Sequence, residues 1–333
     1  MGIRHHRRLE FTRRTFLGGT MGVVGVAALA GAGEPMPVDL HPVQAIDRTL
    51  PVDIHTASHL LESFVPTGLA RAVAMLGTRV VRDVLVPGSG QQAAAMAALT
   101  GQGVSVIGIV TRPGDSESHA RRRVRAAARH GDALVRLEFA SSDALQIPVA
   151  ADRLHRSFID MPMGDAPSDR AELWRTSGAA TLRRWLTDLD HAMHHPEAAT
   201  PHWPLVAADG LLVSSPTGWE PTPGFHAISR FNALARGSVR EDSAGPDARL
   251  TASVPRGYKV LGWALGAGRM LVVAWTPPGV HAGGAVLRLR SSRQMHWRRF
   301  APSEDAEPRR AARGLEWAAR ARSEPVVVVA EPI

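Results

Sequence analysis

The chain has 333 residues, enough for one large domain and a smaller one. It contains no cysteine, which excludes disulfides, thiolate catalysis and cysteine-based zinc sites. The formal charge is +8, but Arg4, Arg7, Arg8, Arg13 and Arg14 against Glu10 supply half of it, Lys259 is the sole lysine, and no basic stripe is interleaved with aromatics, so nucleic acid is excluded as the expected partner.

Residues 1–30 read as an export signal. Thr12-Arg13-Arg14-Thr15-Phe16-Leu17 precedes a weakly apolar, Gly-rich run from Met21 to Ala30, and Ala28-Leu29-Ala30 offers small residues for cleavage. This resembles a twin-arginine (Tat) signal, which implies a periplasmic or extracellular protein. The run is short for a membrane span, so membrane contact is expected only through an uncleaved signal. Residues 31–49 carry Pro and Gly without periodicity and read as a linker.

Strand and helix signals then alternate. Pro51–His55, Arg79–Leu85, Val104–Val110 and the run from Ala133 toward Asp143 read as strands. Leu69–Leu76, Gln91–Thr100 and His119–His130 read as helices, stopped by Gly77, Gly101 and Gly131. Such a βα rhythm predicts a parallel sheet, as a (β/α) barrel or a doubly wound sheet. No Gly-x-Gly-x-x-Gly follows the first strand, so the phosphate loop of a dinucleotide fold is missing. Leu154–Ile159 reads as a further strand, and Arg170–Met193 as one long helix with a single apolar face. Trp203–Ala207 and Gly210–Val213 read as short strands, and Gly224–Ala235 as a helix closed by Gly237. From Leu250 the pattern is all-β. Its strand candidates are Val260–Leu265, Met270–Trp275, Ala285–Leu289, Met295–Phe300 and Pro325–Ala330, which predict a small sandwich-like domain.

Several stretches match, in order, motifs of one group. They are Val52-Asp53-Ile54-His55; Leu76-Gly77 leading to Arg82-Asp83; Ala98 to Val104 with Gly101 and Gly103; Gly210-Leu211-Leu212; and Pro221-Thr222-Pro223-Gly224-Phe225-His226-Ala227-Ile228 leading to Asn232. Together with the closing β pattern, they resemble bacterial exported glycoside hydrolases that join a (β/α)8 barrel to a C-terminal β-domain, near the clan of β-xylosidases and endoglucanases. The resemblance implies a TIM-type barrel over 50–238, a β-domain over 250–333, carbohydrate as partner and no cofactor. It also implies a pair of carboxylates flanking a glycosidic bond.

The residues depart from that pattern where the chemistry should be. Aligning Leu137-Glu138 with the group's fourth-strand motif puts Ser141 and Ser142 where Asn-Glu belongs, and Asp143 falls one position late. Ser215-Pro216-Thr217-Gly218-Trp219 resembles the seventh-strand motif with Pro at the nucleophile's position. The span from Glu138 to Gly210 is also short for three βα units of roughly 30 residues each, so the barrel is expected to be incomplete or degenerate. The candidate catalytic residues are Glu138 and Asp143. The candidate substrate-binding residues are His55, Arg82, Asp83, Trp219 and Glu220, with Glu220 also a candidate partner carboxylate. The reading is a glycoside hydrolase-like protein without the standard Glu pair that binds a glycan or a partner. The alternative is an active, divergent hydrolase using Glu138 or Asp143 as acid/base. His191, His194, His195 and Glu197 read as a solvated helix end rather than a metal site.

Overall fold

The computed structural model describes residues 33–43, 46, 52–54, 66–110, 115–127, 130, 133–139, 155–158, 168–195, 203–206, 210–215, 218–236, 249–280, 286–301, 310–320 and 324–333. Two short strands, β1 (Met36–Pro37) and β2 (Leu40–Pro42), come first. A parallel sheet then forms from β3 (Val52–Asp53), β4 (Val80–Val84), β5 (Ser105–Ile109), β6 (Leu134–Phe139) and β7 (His155–Phe158). Its strands lie in the order β3-β4-β5-β6-β7, all parallel. A doubly wound sheet reverses its order at a switch point. This sheet winds one way only, as a barrel does. The crossovers carry helices α1 (Pro66–Leu76), α2 (Gly90–Thr100) and α3 (Glu117–Ala127). Because helices cover one face and the interior the other, β4 and β5 are buried along almost their whole length.

The free side of β3 is occupied by residues 203–206. The Asp53 N–H donates to the Trp203 carbonyl at 2.9 Å, the Leu205 N–H donates to the Asp53 carbonyl at 2.7 Å, and Asp53 and Pro204 form a parallel bridge. This segment stands where the last strand of a barrel meets the first. Between β7 and Trp203 the described elements are only two helices, α4 (Ser168–Thr176) and α5 (Gly178–His194). The described residues therefore supply a curled half-barrel rather than eight βα units.

The helix expected over Arg170–Met193 is broken. Ser177 caps a new helix, its hydroxyl accepting from the Ala180 N–H at 3.2 Å. Gly178 allows the break to sit tight against α6 (Pro223–Arg236), since a Cβ there would lie 2.8 Å from the Pro223 carbonyl oxygen. Between these helices, β8 (Leu212–Ser215) and β9 (Gly218–Pro221) form an antiparallel hairpin. Helix α6 starts on Thr222, whose hydroxyl accepts from the Phe225 N–H at 3.2 Å, with Pro223 at the first helical position. Further along, the Asn232 amide donates to the Leu76 carbonyl at 2.9 Å and closes the C-terminus of α1. The Pro-x-Pro to Asn motif is thus a helix start followed by a helix-end clamp.

The remaining strands are β10 (Leu250–Ser253), β11 (Lys259–Gly266), β12 (Arg269–Trp275), β13 (Val286–Phe300), β14 (Arg310–Arg320) and β15 (Val326–Pro332). With β1 and β2 they form one eight-stranded sheet, ordered β1-β10-β13-β15-β12-β11-β2, with β14 also paired to β13. Two features differ from expectation. Residues 36–42, inside the stretch read as a linker, pair with β10 and β11. The two strands expected over Ala285–Leu289 and Met295–Phe300 are one strand with a register shift between Arg290 and Met295. Alternation assigns the faces. Trp263, Leu271, Val273, Trp275, Val327 and Val329 join the apolar cluster of the parallel sheet and its helices. Met270, Val272, Val328, Leu289, Trp297 and Trp317 form a second cluster, over which the sheet curls. The Phe231 and Trp263 rings meet edge-on at 5.6 Å, so helix α6 and strand β11 share one interior. No described helix is long and apolar enough to cross a membrane.

Candidate functional site

Register decides which polar side chains share a face. Asp53 pairs with Arg82, and Ile109 pairs with both Val84 and Glu138. Paired residues of parallel strands point the same way, and residues two apart on one strand do too. Asp53, Arg82, Arg136 and Glu138 therefore project from the inner face, beside Ile107 and Ile109. Val81, Asp83 and Leu137 face the helices.

Arg82 organises the inner group. Its Nε donates to Asp53 Oδ1 at 2.5 Å and its Nη2 to Asp53 Oδ2 at 3.0 Å, a two-pronged pairing. Asp53 Oδ2 also accepts from the Trp203 backbone N–H at 3.0 Å. One carboxylate thus joins β3, β4 and the segment that closes against β3. Across the sheet, Arg82 Nη1 lies 3.7 Å from Glu138 Oε2, an ion pair without a hydrogen bond. Arg136 Nη2 donates to Glu138 Oε1. Glu138 is 0% exposed and Asp53 1%. Burial alone would lower the Arg82 pKa. The charge and hydrogen bonds of Asp53, then the charge of Glu138, outweigh it and hold Arg82 far above its ordinary value, so this guanidinium stays charged.

The expected site residues separate. Arg82 and Glu138 meet on the inner face. Asp83 is buried on the other face, where its carboxylate accepts from Gln92 Nε2 at 2.7 Å. Gln92 also donates to the Val84 carbonyl at 2.8 Å and accepts from the Val86 N–H at 2.8 Å, tying α2 to the end of β4. Asp83 is therefore part of a strand-to-helix tie. Trp219 and Glu220 lie on the β8–β9 hairpin, off the parallel sheet. Trp219 packs against the main apolar cluster, and Glu220, opposite Val213, is exposed. Of the nucleophile-like motif, Ser215 ends β8, Gly218 and Trp219 open β9, and Gly218, opposite Ser215, has φ at +127°. His55 and Asp143 lie outside the described residues.

Sequence reasoning missed Asp53 and Arg136 as members of this group. A signal existed for Asp53: a charged residue inside an otherwise apolar, doubly covered strand needs a buried partner. Its partner, Arg82, is adjacent only in space.

In chemical terms the described residues of the inner face include two carboxylates and two guanidinium groups. Both carboxylates answer to Arg82. Glycoside hydrolysis needs one carboxyl to give a proton to the leaving oxygen and a second to attack or to activate water, with a sugar between them. Among the described residues no other carboxylate shares this face. At the end of α5, His191 and His195 are exposed with ring centroids 4.8 Å apart, and His194 Nδ1 lies 2.8 Å from the Asp190 carbonyl. Among the described residues no group of three His, Asp or Glu side chains is placed to hold a metal ion.

No family model matches the chain, and no curated protein matches its sequence. Solved structures give faint likenesses. A GH30 endoxylanase from Clostridium papyrosolvens C71 is 9% identical, with 92% of this chain and 98% of that one covered, at a TM-score of 0.45. A 4-O-alpha-L-rhamnosyl-beta-D-glucuronidase from Fusarium oxysporum 12S is 8% identical over 89% and 97%, at 0.41. A bacterial fucosidase is 10% identical over 87% and 84%, at 0.37. At these scores the likeness assigns neither family nor activity.

Proposed function

We propose that this chain is a glycoside hydrolase-like protein that binds a glycan or a partner without hydrolysing a glycoside. The observation that carries this reading is the state of Glu138. It is fully buried and held between Arg82 and Arg136, while Asp53, the other carboxylate of its face, is locked on Arg82 and the Trp203 N–H. Such a network fixes strands to one another. It does not leave two carboxyl groups facing an open sugar site. The ordered motif resemblance supplies the carbohydrate part of the reading.

The test is a screen of aryl-glycosides with the wild-type chain and Glu138→Gln, beside binding measurements on neutral oligosaccharides. We expect saccharide binding without turnover in either protein. Turnover by the wild type would overturn the reading, and its loss in Glu138→Gln would assign Glu138 to the mechanism.

One observation favours a divergent hydrolase. Glu138 Oε2 is buried without a hydrogen-bond partner, an acceptor left open inside the sheet. In that reading Glu138 or Asp143 is the acid/base, and the same screen decides.

The twin-arginine motif leads us to propose export in the folded state to the periplasm or beyond. Replacing Arg13 and Arg14 by Lys should retain the protein in the cytoplasmic fraction. Unchanged export would remove the Tat assignment.

A further inference from the structure

The eight-stranded sheet carries a cleft, lined mainly by charged and hydroxyl residues, remote in sequence from the parallel sheet. Its volume is about 500 Å3, and Arg249, Thr251, Ser253, Arg288, Arg290 and Glu316 line it. Its origin is the alternation of three strands. On β10, Leu250 and Ala252 are buried, while Thr251 and Ser253 point out. On β13, Leu287 and Leu289 are buried, while Arg288 and Arg290 point out. On β14, Trp317 is buried and Glu316 points out. The pairings Thr251↔Arg290, Ser253↔Arg288 and Arg290↔Glu316 set these outward residues side by side.

The charges do not cancel. Arg288 Nη1 lies 3.3 Å from Glu316 Oε1. Among the described residues no carboxylate pairs with Arg249 or Arg290, and both are exposed. Arg288 Nε is buried and has no hydrogen-bond partner, a donor lacking an acceptor. Ser291, 2% exposed, and Ser292 add hydroxyls to the lining. Three guanidinium groups against one carboxylate call for an anion. The volume exceeds what a single inorganic oxyanion fills and lies within the range of small-ligand sites. Hydroxyls that donate and accept, with a carboxylate that accepts, suit a polyol. No aromatic side chain lines the cleft, so it offers bases no stacking platform, which disfavours single-stranded nucleic acid.

We propose that this cleft binds an acidic saccharide, with Arg249, Arg288 and Arg290 taking its carboxylate or sulfate groups and Thr251, Ser253 and Glu316 its hydroxyls. The proposal rests on the carbohydrate reading above and names its substrate class. It also places recognition on the β-domain rather than on the inner face of the parallel sheet.

Isothermal titration of the full chain tests it with four probes. These are an oligogalacturonate, a sulfated oligosaccharide, a neutral oligosaccharide and a short single-stranded DNA. The variant is Arg249→Glu/Arg290→Glu, two exposed positions whose change leaves both apolar clusters intact. Arg249→Gln/Arg290→Gln serves as a milder form should the first fail to fold. We expect at least one acidic saccharide to bind, with affinity falling as salt rises and at least tenfold in the variant. Acidic binding that the variant leaves unchanged, or DNA binding as tight as the saccharide's, would overturn the proposal. Binding of the neutral probe alone overturns it and leaves the carbohydrate reading standing. Silence in every saccharide arm overturns both.

Discussion

Arg82 grips Asp53 with two nitrogens, at 2.5 and 3.0 Å, and the same Asp53 takes the Trp203 N–H, so one buried carboxylate ties together β4, β3 and the segment that closes against β3. Breaking a buried pair from one side strands the other charge, which costs about 3–5 kcal/mol. Arg82→Met and Asp53→Asn should each destabilise the chain by that order in urea unfolding. The double variant should cost less than the two singles added together. A loss under about 1 kcal/mol for Arg82→Met would remove the structural role assigned to this pair.

Glu331 should contribute to the acid limit of stability. Burial disfavours the charged form of Glu331. The hydrogen bond from Arg298 and the charges of Arg269, Arg298 and His296 outweigh that and hold its carboxyl below the ordinary value. Arg269 Nη2 sits 2.8 Å from Glu331 Oε1, and Arg298 Nη2 bonds Oε2. A carboxylate with a lowered folded value contributes stability above its ordinary range and loses that contribution as pH falls through the folded value. Arg82 behaves oppositely. Its raised value keeps its contribution present up to strongly alkaline pH, so it adds no acid dependence. Glu331→Gln should cost about 1 kcal/mol at neutral pH and less below about pH 4. Unfolding midpoints measured across that range check it. An acid limb identical to wild type would exclude Glu331 as a contributor.

Helices α5 and α6 should tolerate no side chain at their closest approach. A Cβ at Gly178 would lie 2.8 Å from the Pro223 carbonyl oxygen, and one at Gly224 2.8 Å from the Thr181 methyl carbon. Gly178→Ala sets the methyl against backbone, which cannot rotate away, and should cost about 1–3 kcal/mol. Gly224→Ala meets Cγ2, Oγ1 and Cβ of the buried Thr181 at 2.8, 2.9 and 3.2 Å, so rotation of that side chain brings no relief and the cost should be of the same order. Thermal unfolding of the two variants is the measurement, and a neutral result for either would contradict the packing described.

The helical layer and the large sheet are joined by a polar contact as well. The Trp275 indole N–H donates to the Thr187 hydroxyl at 3.1 Å. Trp275→Phe removes that bond and part of a buried ring, and should cost about 1–3 kcal/mol. Thr187→Val removes the hydroxyl alone and should cost about 1 kcal/mol. Denaturant midpoints of both variants are the measurement. A neutral Thr187→Val would show that the ring's packing carries the contact.

The parallel half of the fold was legible because its signals are local. Apolar runs marked β4 and β5, and Gly77, at a φ of +77°, stopped α1 where a left-handed residue was needed. Strand β14 was not legible. Ala311-Ala312-Arg313-Gly314-Leu315-Glu316-Trp317-Ala318-Ala319 is rich in helix formers, and only the ladder with β13, together with burial of Trp317, makes it a strand. The strands β1 and β2 are two and three residues long, too short to show periodicity, and exist only as edges of a sheet formed by distant residues. The site divides in the same way. Arg82 and Glu138 stood out as charges on apolar strands. Their link through Asp53 and Arg136 depends on strand register, which no single segment encodes.

The parallel pairing of β2 with β11, Leu40 opposite Gly262, also has a consequence in time. A chain emerging from the ribosome makes β2 early and β11 late, so β2 must wait through most of synthesis for its neighbour. Gly262 leaves room for the meeting, because a Cβ there would lie 2.7 Å from the Leu40 side chain. Contacts of such sequence separation form slowly and last. A nascent chain stalled before residue 259 should therefore leave residues 40–42 open to protease. Release of the full-length chain should then close them, and early protection of that segment would contradict this order of assembly.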